Sequence, residues 1–331
     1  MGEFLAVMAA FFFAASNIYA NQGMIETDYN RYEGLFVSVV VNNITNLVLL
    51  PFYLLVFSLP EFNLQGVVAY ILAGFSATFL GRYLLFECIE RVKASRATVL
   101  KITAPVFTVI IGVTLLNESL SPWELVGIAV VLIGVVVVSL DTQNFMNNAG
   151  KSSPSSASAS STNNNENSPS STGSQSAEEV DSQRRAKIGI ILGVFAGLAL
   201  GSGNVFRKLG TDFMGGPFFG VLIGSFTALV VLAIVSLASG KIQIRYRHVL
   251  LPPTLSWAYV KVGVWTSIAM YTIFVALDLA PVSIVNSLAS VEPFGAIILS
   301  AIMLKKHDII TLRLLLGGTV VIAGSVLIFM F

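Results

Sequence analysis

The chain has 331 residues, 55% of them hydrophobic and only 11% charged, with a formal net charge of +1 and a mean hydropathy of +0.81. A soluble domain carries about 25% charged residues, so an ordinary water-soluble fold is excluded, and a net charge near zero gives no electrostatic footprint for nucleic acid. The single cysteine, Cys88, excludes an internal disulfide and any cysteine-cluster metal site.

A helix needs about 20 mostly apolar residues to cross about 30 Å of hydrocarbon, and ten stretches meet that requirement. The first, 3–21, has Glu3 as its only charged side chain and lacks both a positive leader and a small-residue cleavage site, so it is expected to stay as a helix. It is followed by 34–58, 65–89, 96–116 and 122–140. Pro51 and Pro105 fall inside these runs, where a freed carbonyl is tolerated if a neighbour or cavity water satisfies it. Ser121, Pro122 and Glu124 form a capping box that opens the fifth helix. Residues 141–186 are rich in Ser and Asn with almost nothing to bury, so the sequence predicts a disordered linker there. Beyond it come 187–206, 217–239, 256–277, 283–304 and 311–331, with Pro293 inside the ninth. The expected fold is all-α and integral to a membrane.

The halves 1–140 and 187–331 resemble each other. A shift of 187 pairs Asn17 with Asn204, and Gly2, Ala6, Ala10 and Ala14 with Gly189, Gly193, Gly197 and Gly201. A shift of 188 pairs Tyr83, Phe86, Glu90, Ser95 and Pro105 with Tyr271, Phe274, Asp278, Ser283 and Pro293. Gly127 and Gly134 then match Gly317 and Gly324. Small residues every fourth position let helix backbones approach closely. One register kept through five helices is a repeat rather than chance likeness, and an odd number of helices makes the second copy insert upside down. Of the 19 basic residues, 14 lie on the face that carries the linker and two, Arg207 and Lys208, on the other. The positive-inside rule therefore predicts a cytoplasmic linker and external termini.

The run from Ala94 to Val138, with Pro105 in mid-helix, Glu118 at the end of that helix, a capped turn, and Gly127 and Gly134 in the next, resembles the repeat of the drug/metabolite transporter superfamily, EamA type. Its second copy runs from Ala276 to Phe331, where Lys306 stands in place of Glu118. The resemblance implies a secondary transporter of amino acids, amphipathic metabolites, sugar nucleotides or drugs.

No Walker A loop or His-Glu-x-x-His pattern is present, and the two histidines, His248 and His307, fall in loops, so no enzyme, metal site or cofactor is expected. Ionisable residues at membrane depth are the best pointers to a site. Glu292 lies about ten residues into the ninth stretch, about 15 Å deep at 1.5 Å per residue, and suits a substrate amine or a coupling proton or cation. The competing reading is a buried salt bridge with Lys101 that only locks the fold. Lys101, one turn before Pro105, either faces the same site through the pseudo-symmetry or snorkels. Arg82 either clamps a carboxylate or phosphate, or snorkels or pairs with Glu87. Lys261 is expected to snorkel. Asn17, Asn204 and Asn286 bond either substrate or neighbouring helices, the matched pair Asn17 and Asn204 reading as symmetric helix glue. Tyr83, Tyr271, Trp257 and Trp265 line a pathway or sit in an interfacial belt.

The reading that follows is a transporter of a small zwitterionic or anionic metabolite by alternating access, with its site between the repeats in a cell membrane. Its partners would be that solute, a coupling proton or cation, and the bilayer. A lipid-carrier flippase uses the same helices with a laterally open groove; an integral membrane enzyme would need a histidine beside an acidic residue.

Overall fold

Apolar runs too long for a globular core, each closing its backbone hydrogen bonds within one segment, leave helices as the way to fill this chain. A computed structural model describes residues 1–56, 59–101, 103–116, 122–151, 172–238, 244–245, 249, 255–279, 288–289, 291–303 and 311–330. They form α1 (Gly2–Glu26), α2 (Arg31–Val56), α3 (Leu64–Ala73), a π-helical stretch over Gly74–Gly81, α4 (Arg82–Val92), α5 (Ala94–Lys101), α6 (Ala104–Leu116) and α7 (Pro122–Lys151). The second half contributes α8 (Thr172–Met214), α9 (Pro217–Ala238), α10 (Trp257–Leu279), α11 (Glu292–Met303) and α12 (Leu312–Met330). Leu64–Val92 runs as one span through its π stretch, α5 and α6 make the fourth, and α11 belongs to the ninth. The protein is thus an all-α membrane protein of ten transmembrane helices in two inverted five-helix repeats.

Packing follows the repeat. α1 packs on α10 and α11, and its counterpart α8 packs on the third span and on α5 and α6. α2 packs on α9 and α10, and α7 pairs with its own counterpart α12. The matched glycines explain that last contact. A Cβ at Gly324 would stand 2.6 Å from the Val131 nitrogen and 2.8 Å from the Gly127 oxygen, so the two backbones meet directly. Between α8 and α9 the chain turns through Gly215 and Gly216, with φ of 67° and 59°, a conformation that glycine adopts without a Cβ clash.

Two expectations need correction. The ordered helices do not stop at the edges of the 141–186 segment: α7 continues to Lys151 and α8 begins at Thr172. Extending a helix costs no new nucleation, and α7 is held within its length by Asp141, which pairs with Arg96 at 3.1 Å and accepts from Thr311 at 2.5 Å. An Asp181–Arg185 pair supports the start of α8. Secondly, the fourth stretch is not one helix. α5 ends at Lys101 and α6 starts at Ala104, while in the ninth a turn at Val291 precedes α11, so Glu292 opens a helix instead of sitting in the middle of one. Ser121, Asn286, His248 and His307 lie outside the described residues.

Candidate functional site: a central cavity at two matched helix breaks

Pro105 and Pro293 are each the second residue of their helix, where the missing N–H would have had no intrahelical partner. The breaks before them share one hydrogen-bond pattern at the 188-residue offset. Thr103 donates its N–H to the Leu100 carbonyl at 3.3 Å, and Val291 donates to Leu288 at 3.1 Å. Phe107 donates to Thr103 at 3.3 Å and Gly295 to Val291 at 3.5 Å. Lys101 therefore sits at the C-terminal, partly negative end of α5, and Glu292 at the N-terminal, partly positive end of α11. Each charge is on the side its helix dipole favours.

The breaks bring these charges together. Lys101 Nζ lies 2.5 Å from Glu292 Oε1, and Asn17 Nδ2 donates to the same oxygen at 2.8 Å. Lys101 also lies 5.9 Å from the centre of the Phe13 ring. This pairing rules out the snorkelling alternative for Lys101. Asn17 bonds α1 to α11 through the Glu292 carboxylate, whereas Asn204 Oδ1 accepts from Arg207 Nη1 at 3.3 Å on its own helix, so the matched pair is not used symmetrically.

Lys101, Glu292, Asn17, Arg82 and Asn204 all line one cavity of about 240 Å³. Lys261, Tyr83, Tyr271, Trp257 and Trp265 are not among the lining residues, and Asn286 lies outside the described residues. Arg82 Nη2 donates to Ser38 Oγ at 3.4 Å and Thr266 Oγ1 at 3.3 Å, and its buried Nη1 has no partner among the described residues. It does not pair with Glu87, which is bound by Arg91 one turn along α4 and accepts from the Tyr83 hydroxyl at 3.1 Å. Lys261 rests 5.0 Å from the centre of the Tyr19 ring, outside the cavity lining. Trp257 is exposed, as a belt residue is, and Trp265 packs on Phe12.

Some lining residues were missed from the sequence. Arg207 falls just past the expected 187–206 stretch but lies within α8, which runs on to Met214, and lines the cavity. Asn42, Asn43 and Asn46 on α2 form a polar network with Ser225, Ser267 and Tyr271. Asn42 donates to Ser267 Oγ at 2.9 Å, Asn46 to Ser225 Oγ at 2.9 Å, and the Tyr271 hydroxyl to Asn46 Oδ1 at 2.9 Å. The signal was three asparagines within five residues of an apolar stretch. Such groups are costly in hydrocarbon unless they bond one another or face water.

The cavity runs from mid-bundle toward the end that carries Gly215 and Gly216, taking in Ala73 and Gly74 on the third span and Gly220 on α9. The other end is closed. Phe86, at the cavity floor, packs on Tyr259 with ring centres 6.3 Å apart, and Tyr259 stacks on Tyr29 at 5.7 Å. Tyr259 is fully buried, its ring wedged against Gly34, where a Cβ would stand 2.4 Å away. Outside this plug, Arg245 grips the buried Glu33 carboxylate with Nε at 2.8 Å and Nη2 at 3.0 Å. The hydrogen bond and charge of Glu33 raise the pKa of Arg245, so the bridge stays charged. With an aromatic plug beyond one end of the cavity and ionisable groups at broken helices inside it, the described residues show the features from which membrane carriers build their sites.

Comparison with known proteins agrees. No match was found among curated proteins. A solved structure described only as the crystal structure of a protein covers 98% of this chain and 94% of its own, with 12% identity and a TM-score of 0.54, a likeness of fold alone. The family model for the EamA-like transporter family matches residues 1–140 and 187–330. With that match over both repeats, the chain belongs to the EamA-like transporter family, a family of membrane transporters of small molecules rather than enzymes.

Proposed function

We propose that this protein is a secondary transporter, working as an exporter, that carries a small zwitterionic or anionic metabolite by alternating access, coupled to a proton or cation. The observation that carries the reading is the Lys101–Glu292–Asn17 contact inside the central cavity, formed where both repeats break a helix at matched positions. A carboxylate held by one cation at such a break gains or loses that cation as solute or proton arrives, which is how broken helices serve coupling. Alternation then consists of one repeat rocking against the other. Opening the closed end displaces Tyr259 from between Phe86 and Tyr29 and releases Glu33 from Arg245.

The testing experiment is flux of a solute library into and out of liposomes holding the purified protein, with and without an imposed proton gradient. Gradient-driven movement of at least one small amphoteric or acidic solute is expected; absence of any protein-dependent flux across the library would overturn the reading.

The proposed setting is the cell membrane, with the linker in the cytoplasm as the basic residues suggest. In a Cys88→Ser background, Ser160→Cys is expected to resist an impermeant maleimide in intact cells and to react after permeabilisation. Labelling from outside would invert the topology.

A further inference from the structure

The cavity is asymmetric in charge although its walls are pseudo-symmetric. The positions that match Arg82, Lys101 and Arg207 in the other repeat are Met270, Ala289 and Ala20, and the one that matches Glu292 is Ala104. Three cations and one carboxylate thus line a single space. The charge of the carboxylate is already matched by Lys101, since its Oε1 accepts from both Lys101 Nζ and Asn17 Nδ2. Arg82 and Arg207 have no carboxylate partner among the described residues, and Arg82 keeps a buried Nη1 with nothing to donate to.

The two guanidiniums stand at different depths. Gly203 packs on Ala77 and Gly210 on Tyr70, so α8 runs antiparallel to the third span and Arg207 is level with Ala73. That is about nine residues from Arg82, or about 13 Å along the axis at 1.5 Å per residue. Arg207 is the cation nearer the Gly215–Gly216 turn, and Arg82 lies at the level of the helix breaks.

From this arrangement we infer that the cavity is an anion site, in which Arg207 draws in solutes of net negative charge and Arg82 holds their acidic group. The inference rests on the transporter reading and narrows it: two guanidiniums line the cavity without a carboxylate partner among the described residues, while its one carboxylate already faces Lys101. A planar guanidinium with an unused, buried N–H suits a carboxylate or phosphate. Low-dielectric walls concentrate the field of the two uncompensated charges along the cavity.

The test uses charged thiol reagents as small solutes, so it does not depend on knowing the substrate. Met270→Cys, facing the cavity opposite Arg82, is made in a Cys88→Ser background and purified protein in liposomes is exposed to three methanethiosulfonates: the anionic sulfonatoethyl, the cationic trimethylammonioethyl and the neutral methyl compound. After division by their rates with a free thiol, the anionic reagent is expected to react about tenfold or more faster than the cationic one. Arg207→Gln is expected to cut that ratio several-fold, Arg82→Gln likewise, and Arg82→Lys to restore most of it. Equal rates, a preference for the cation, or a ratio unmoved by Arg207→Gln would overturn the anion site and leave the transporter reading standing. Failure of even the neutral reagent to reach Met270→Cys would show that no water-filled cavity exists, and would remove both.

Discussion

Glu292→Gln is expected to reduce proton-driven flux to background while the protein still inserts and remains folded. The amide keeps the size of the side chain and one oxygen for Lys101 Nζ and Asn17 Nδ2, but it no longer titrates and carries no charge. A purely structural role predicts a different pattern. Removing one partner of a buried ion pair leaves the other uncompensated at a cost of about 3–5 kcal/mol, so Glu292→Gln would then lower the thermal midpoint of the purified protein sharply. Adding Lys101→Met would remove the orphaned cation and recover stability. The double variant decides between the roles: proteoliposomes holding it are expected to stay inactive however well it folds. Full transport by Glu292→Gln with Lys101→Met would reduce the pair to a structural salt bridge.

Gly201→Ala is expected to damage both stability and flux, although it adds a single methyl group in a helix-favouring direction. A Cβ there would stand 2.6 Å from the Ala104 carbonyl oxygen and 3.1 Å from the Thr108 nitrogen. These are backbone atoms of the first turn of α6, which no side-chain rotation can move. The Gly201 carbonyl also accepts from Thr108 Oγ1 at 3.2 Å, so the helices are joined at this level. Forcing them apart is an overpacking defect of about 1–3 kcal/mol. It also shifts the break that positions Lys101 against Glu292, and a displacement of about 1 Å in a bound geometry costs up to about 100-fold in rate. Gly318→Ala is the control, because its Cβ would meet only Val99 Cγ2, at 3.7 Å. Thermal midpoints and initial flux rates of the two variants, measured side by side, check this. Unchanged flux in Gly201→Ala would show that the α6–α8 contact does not set the site.

The sequence by itself determined the ten apolar segments, the five-plus-five repeat and the presence of Glu292, Lys101 and Arg82 inside apolar stretches. These are properties of composition and of matched positions, because a span must be apolar along its length and a charge inside one needs a reason to be there. The helix breaks were announced by Pro105 and Pro293, but only the folded chain shows that the helices stop, since one proline is equally compatible with a kink. Tertiary structure alone shows which partner each of these ionisable residues meets. Lys101 reaches Glu292 across 191 positions of sequence and Arg82 reaches Thr266 across 184, and no local pattern encodes separations of that size. Arg207 was invisible for a related reason: hydropathy places the end of a helix where apolar residues stop, whereas α8 continues through polar residues to Met214 because its glycine face stays packed against the third span. The asparagines of α2 were legible as polar groups at depth, yet whether they face lipid, a partner or a cavity depends on helix rotation, which is set by packing between helices.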